Sequence, residues 1–368
     1  MEGNPRNNKL AVLFSAFIFL LIGFTLVFPI NGRRTDNHSN ENVEVQPIFE
    51  QTKIILGENK SPVKQICYEA ETNKLYVIEG HGMLDIWDMK SGQKIQEYAL
   101  GVISLTGQIF SKNCNRVIGA TQEELRYKRN YYDGIKIWDT TTGEEIRCFS
   151  SQCKGESLHP GEIGATINSD GDIVILYSEN SLIRFDMKHS NSVVQSIRGM
   201  DDSSPTIGHI SFSPENNSYA VAYLEGKIDY FKPIPILNFS IFPKVYQDEK
   251  SPKEPQPIYS LSFDQTGKTI GSIRGNTLKV WKIDGLSEEI ILEKNVDGQK
   301  ILSFDKTNKF VLVAGNDNIS IWNIYEKKKV RELVTLGITS LVISEDNKHL
   351  IWGDELGEVH IMQEKLNN

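Results

Sequence analysis

The sequence has no excess of positive charge, no glycine-rich phosphate loop and no G-x-S-x-G turn. Each absence removes a class of function. With 40 Lys and Arg against 48 Asp and Glu the formal net charge is −8, whereas nucleic-acid binding calls for a net basic face. Without a phosphate cradle or a nucleophile turn, nucleotide chemistry and serine-hydrolase chemistry lose their usual carriers. The seven histidines, at 38, 81, 159, 189, 209, 349 and 360, show no ligand spacing, so no metal set and no cofactor is expected. Cysteine is sparse as well, at four residues. Cys148 and Cys153 are close enough for a small disulfide loop, while Cys67 reads as a buried strand residue and Cys114 as a turn residue. Free thiols are the expectation unless the chain lies in an oxidising compartment.

Charge is missing altogether from one stretch, Leu10 to Ile30, whose 21 residues are LAVLFSAFIFLLIGFTLVFPI. As a helix this run would be about 31 Å long, enough to cross a hydrocarbon core. A cleaved secretory signal has a shorter apolar region followed by small residues, and this run ends Val27-Phe28-Pro29-Ile30. The expectation is a signal anchor over 10–30: a transmembrane helix after a short tail over 1–9, with single-pass membrane localisation. Arg6 and Lys9 before the run are matched by Arg33 and Arg34 after it, so Lys/Arg counting does not orient it. The free amino terminus and the large downstream domain favour placement of that domain on the extracytoplasmic side. Residues 31–45 are polar, without an apolar period, and read as a flexible tether.

What fills the rest of the chain is a repeat. Ile135-Lys136-Ile137-Trp138-Asp139 is echoed by Leu84-Asp85-Ile86-Trp87-Asp88, Leu182-Ile183-Arg184-Phe185-Asp186 and Ile228-Asp229-Tyr230-Phe231-Lys232. It returns at Leu278-Lys279-Val280-Trp281-Lys282 and Ile319-Ser320-Ile321-Trp322-Asn323, and in degraded form at Val359-His360-Ile361-Met362-Gln363. The aromatic position recurs at intervals of 51, 47, 46, 50, 41 and 40 residues. A period of this length, with an aromatic and a polar residue ending a strand, is the mark of a repeat architecture.

Two of the seven copies carry Trp-Asp itself, and on those residues the chain resembles the WD-repeat family of β-propellers. The resemblance implies an all-β fold over 46–368: seven four-stranded blades, with the aromatic residues wedged between blades. Three strands remain at the C-terminus, and one spare strand, Gln46–Leu56, stands at the front. In that family the N-terminal strand completes the last blade, which leaves fewer free sheet edges. One departure is evident: Gly208-His209 and Gly80-His81 are not where the family places its Gly-His pair. The buried hydrogen-bond network of better-matching repeats therefore has no place here.

Long segments between strands fall at Thr121–Asp133, Ser150–Gly161 and Phe242–Gln256. In the implied fold all three emerge on one face, and insertions on one face mark a binding face. The first holds Arg126, Tyr127, Arg129, Tyr131 and Tyr132, residue types that dominate interface hot spots. The functional expectation is a membrane-anchored, non-enzymatic scaffold whose partners are other proteins, not nucleic acid. The alternative is a lactonase-like or quinoprotein-like propeller working through an axial channel. The first-strand positions, from Val63-Lys64 to Ile338-Thr339, supply one carboxylate, Glu162, and no histidine. That is short of the convergent ligands such a channel needs.

Overall fold

In the computed structural model of the chain, the described residues are 49–56, 61–101, 109–121, 134–149, 164–178, 181–188, 192–193, 206–224, 226–233, 240–246, 257–275, 277–283, 289–293, 301–315, 317–344 and 347–364. Every regular element among them is a β-strand. The chain opens with β1 (Phe49–Leu56) and then lays down one antiparallel meander after another. The first sheet is β2 (Val63–Glu69), β3 (Lys74–Glu79), β4 (Met83–Asp88) and β5 (Gln93–Ala99); the second is β6 (Arg116–Thr121), β7 (Gly134–Asp139) and β8 (Glu145–Phe149). The third is β9 (Gly164–Ile167), β10 (Ile173–Ser178), β11 (Ser181–Asp186) and β12 (Ser192–Val193). The fourth is β13 (Ile207–Phe212), β14 (Tyr219–Tyr223), β15 (Ile228–Pro233) and β16 (Ser240–Tyr246). The fifth is β17 (Ile258–Phe263), β18 (Thr269–Arg274), β19 (Thr277–Lys282) and β20 (Glu289–Glu293). The sixth is β21 (Ile301–Phe304), β22 (Phe310–Ala314), β23 (Asn318–Asn323) and β24 (Lys328–Val334). The seventh is β25 (Ile338–Ile343), β26 (His349–Asp354) and β27 (Glu358–Glu364), with β1 beside β27 as its fourth strand.

The strand sequences follow from where each strand sits. A strand buried on both faces reads as a continuous apolar run, whereas a half-exposed one alternates. In β3 the five residues after Lys74 are all buried, and in β26 the five after His349. The outer β5 and β24 are mostly exposed and carry Lys, Glu and Gln. Such charged edges discourage pairing with another chain. In the first and second sheets the register of the outer strand shifts at Trp87 and Trp138, and the shift leaves out Ile95 and Ile146. These two side chains are exposed as a result.

The sheets pack face to face. Apolar clusters join the first sheet to the second and third, the third to the fourth, the fourth to the fifth, the fifth to the sixth, the sixth to the seventh, and the seventh to the first. Burying one Leu, Ile or Val side chain in such a layer stabilises the fold by about 1.5–3 kcal/mol. The strand-ending residues Trp87, Trp138, Phe185, Phe231, Trp322 and Met362 are all buried in these layers, and Trp281 packs against one of them. Where the seventh sheet meets the first, the backbone at Gly353 comes against the Val63 side chain. A Cβ on Gly353 would stand 2.3 Å from Val63 Cγ1, so only glycine fits. The Ile66 amide donates to Ser340 Oγ across the same junction, at 3.1 Å.

This architecture corrects several expectations. The seven sheets are open, and none is closed or curled on itself. The closed seven-bladed propeller therefore gives way to a coarser description: an all-β array of seven antiparallel sheets. A repeat period fixes the unit that recurs, here one short meander, but not how the units close. No helix among the described residues is long and apolar enough to cross a membrane, and the transmembrane helix expected over 10–30 falls outside them. The tail and the tether lie outside them as well. The fourth sheet's outer strand runs over Ser240–Tyr246, so part of the Phe242–Gln256 segment expected as a loop is strand. Its Pro243 lies at a register shift on an edge strand, a place that tolerates the missing N–H.

The cysteines also depart from expectation. Cys67 of β2 is disulfide-bonded to Cys114, which lies in the turn before β6, with Cα atoms 5.7 Å apart. Cys148 is oxidised too, and among the described residues no cysteine is free. Free thiols were the expectation because spacing along the chain does not show that a turn brings Cys114 beside a strand 47 residues earlier.

Candidate functional site

The densest set of metal-ligating side chains among the described residues lies at one end of the seventh sheet, around the turn from β26 to β27. Asp354 ends β26, and its Oδ1 accepts hydrogen bonds from the Leu356 amide at 2.9 Å and the Glu358 amide at 2.8 Å. Gly357 completes this turn with φ of 84°, a left-handed conformation that suits glycine. With Oδ1 committed, Oδ2 faces His360, whose Nε2 is 2.9 Å away. Glu358 and His360 alternate along β27 and so share a face of the sheet. His360 Nε2 stands 3.7 Å from Glu358 Oε2. The imidazole stacks on the Trp352 indole, with centroids 5.0 Å apart and planes 8° from parallel. One ligand atom from each of Asp354, Glu358 and His360 falls within 4.8 Å of the others. Asp354 is buried, whereas Glu358 and His360 are partly exposed.

The same end carries the most exposed large apolar side chains among the described residues. Val334, at the end of β24, is 88% exposed, Leu336 is 72% exposed, and Leu356, in the β26–β27 turn, is 69% exposed. The two segments are tied together, since the Glu355 amide donates to the Gly337 carbonyl at 2.8 Å. Gly337 has φ of 64° and passes within van der Waals distance of Glu355. Isolated exposed leucines are ordinary, but several together on tied segments mark an interaction surface.

A cleft of about 350 Å³ opens between the fifth and sixth sheets, lined in part by Asp264, Lys268, Phe304, Asn308 and Tyr325. Its polar groups already serve the turns. Asp264 Oδ1 accepts from the Lys268 and Thr269 amides at 2.9 and 3.1 Å, and Asn308 Oδ1 accepts from the Gln265 amide at 3.2 Å. The cleft therefore has no convergent reactive set.

A second charged group is buried where the first sheet faces the seventh. Glu79 and Asp85 are diagonal neighbours on β3 and β4, and each is 2% exposed. Lys94 Nζ lies 3.4 Å from Asp85 Oδ2 and also pairs with Glu97. Burial first, and then the neighbouring Glu79, push the Asp85 carboxyl up to about 6 against the pull of Lys94.

The expected contact residues Arg126, Tyr127, Arg129, Tyr131 and Tyr132 fall within 122–133, outside the described residues, between the end of β6 and the start of β7. The Asp354 group was passed over in the sequence. Its only signal there is Asp-x₃-Glu-x-His across a turn and a strand, a spacing that acquires meaning once β26 and β27 pair.

No protein-family model matches the chain, and no curated protein matches it. With these results and the open sheets, the WD-repeat assignment is withdrawn.

Proposed function

We propose that this chain is a non-enzymatic protein-binding domain that works on the extracytoplasmic side of a membrane, to which the apolar run over 10–30 directs it. The observation that carries the reading is the exposed trio Val334, Leu336 and Leu356 on two tied segments. Desolvation of such a patch by a partner is the main source of binding free energy at most protein interfaces. The oxidised state of Cys67, Cys114 and Cys148 supports the compartment, since structural disulfides persist in oxidising surroundings. The net charge of −8 favours a protein partner over nucleic acid.

The test is cross-linking capture from intact cells with the native chain and with Leu336→Asp/Leu356→Asp. A defined partner lost from the double variant, with the thermal midpoint unchanged, supports the reading. Equal capture by both chains would refute the surface, and turnover of a substrate by the purified chain would refute the non-enzymatic assignment.

A further inference from the structure

Three positions recur on the face each sheet turns toward the sheet before it: the end of its second strand and two alternate residues around the start of its third. In the fourth sheet they are Tyr223, Lys227 and Asp229. The Tyr223 hydroxyl donates to Asp229 Oδ2 at 3.0 Å, and Lys227 Nζ is 3.1 Å from the same carboxylate. One ammonium faces one carboxylate there. In the seventh sheet the same places hold Asp354, Glu358 and His360, closed by the same turn. The Gly226 amide donates to the Tyr223 carbonyl at 2.8 Å, and the Gly357 amide to the Asp354 carbonyl at 3.3 Å. Two carboxylates and an imidazole stand where the fourth sheet has one carboxylate, an ammonium and a hydroxyl. The seventh-sheet group sets one imidazole against two carboxylates and has no lysine of its own.

We propose that Asp354, Glu358 and His360 bind a zinc ion. Imidazole nitrogen with two carboxylate oxygens is a zinc donor set, whereas calcium and magnesium take oxygen ligands in larger number. Zinc bonds of about 2.0–2.2 Å place tetrahedral ligand atoms roughly 3.4 Å apart. The three ligand atoms already lie within 4.8 Å of one another, so the site closes by a small turn of the Glu358 side chain, the most exposed of the three, and a slight opening of the 2.9 Å Asp354–His360 contact. The other two are oriented by their neighbours. Two backbone amides fix Asp354 Oδ1 and leave Oδ2 for the ion, and the Trp352 indole fixes the plane of the His360 ring. Ligands held by their own neighbours on strands and a tight turn are the arrangement that metal sites require. Three protein ligands leave a fourth coordination position for water or for a group on a partner.

The experiment is calorimetric titration of the chelator-treated, dialysed full chain with zinc chloride, with calcium chloride in parallel. Glu358→Gln, His360→Gln and, as a control, His81→Ala are titrated alongside. The expected result is one equivalent of zinc bound at micromolar or lower concentration. Affinity should fall at least tenfold in Glu358→Gln and vanish in His360→Gln, while His81→Ala is unchanged. Glu358 is at the surface, so its variant should keep the metal-free thermal midpoint, which separates loss of a ligand from loss of the fold. Absence of zinc binding in the native chain, undiminished binding in Glu358→Gln, or binding of calcium in place of zinc would each overturn the proposal. None of these outcomes depends on the partner surface, whose test uses Leu336 and Leu356 alone.

Discussion

Cys114 and Asn347 hold the same place in their turns. Each lies three residues after a serine, Ser111 or Ser344, and donates its amide to that serine's carbonyl at 3.0 or 2.9 Å. Each has left-handed backbone, with φ of 56° and 58°. From this position each reaches back to the preceding sheet: Asn347 Oδ1 accepts from the Lys306 amide at 2.8 Å, and Cys114 is joined to Cys67. Asn308 repeats the amide version against Gln265. One turn position thus ties neighbouring sheets together, with a hydrogen bond at some junctions and a covalent bond at another.

The covalent tie should matter most. Closing a loop of this length in the unfolded chain is worth about 4 kcal/mol by chain entropy. Cys67→Ser/Cys114→Ser is expected to lose about that much in urea unfolding, and reduction of the native chain should cost at least as much, because it also breaks the Cys148 disulfide. A loss below about 1 kcal/mol would show that the junction is held by its apolar layer alone.

The hydrogen-bonded ties are weaker and can be dissected at Asn347. Asn347→Gly keeps the positive φ and removes the amide, so it should cost about 1 kcal/mol. Asn347→Ala adds left-handed strain of about 1 kcal/mol more. Urea midpoints of the two variants should fall in that order, and equal values would mean that backbone conformation is irrelevant at this turn.

Asp85 predicts a pH dependence. Its folded value of about 6 lies above the ordinary Asp value near 3.9. The folded state therefore binds the proton more tightly than the unfolded chain does. The stability from this group is fully present below the unfolded value and is lost as pH rises through about 6. Between pH 7 and pH 5 the native chain should gain on the order of 1 kcal/mol relative to Asp85→Asn. Parallel urea midpoints for the two chains across that range would rule out the buried carboxyl as the source.

The sequence by itself determined what is local. Alternating and continuous apolar runs, the turn residues and the 40- to 50-residue period specify short antiparallel strands grouped into meanders. Counting three strands after Gly337 against one spare strand before Gly57 pointed to the pairing of Phe49–Leu56 with the last strand. These features depend on residues close in the chain or on simple bookkeeping of strands. Only the tertiary structure decided the rest. It left every sheet open, paired Cys114 with Cys67 instead of leaving both as thiols, and set His360 between Asp354 and Glu358 on a face shared with Trp352. Those meetings depend on strand register and on which sheet faces which, and burial over the whole domain fixes both. No local period encodes them, because a residue's partner across a junction is set by packing between units and not by its distance along the chain.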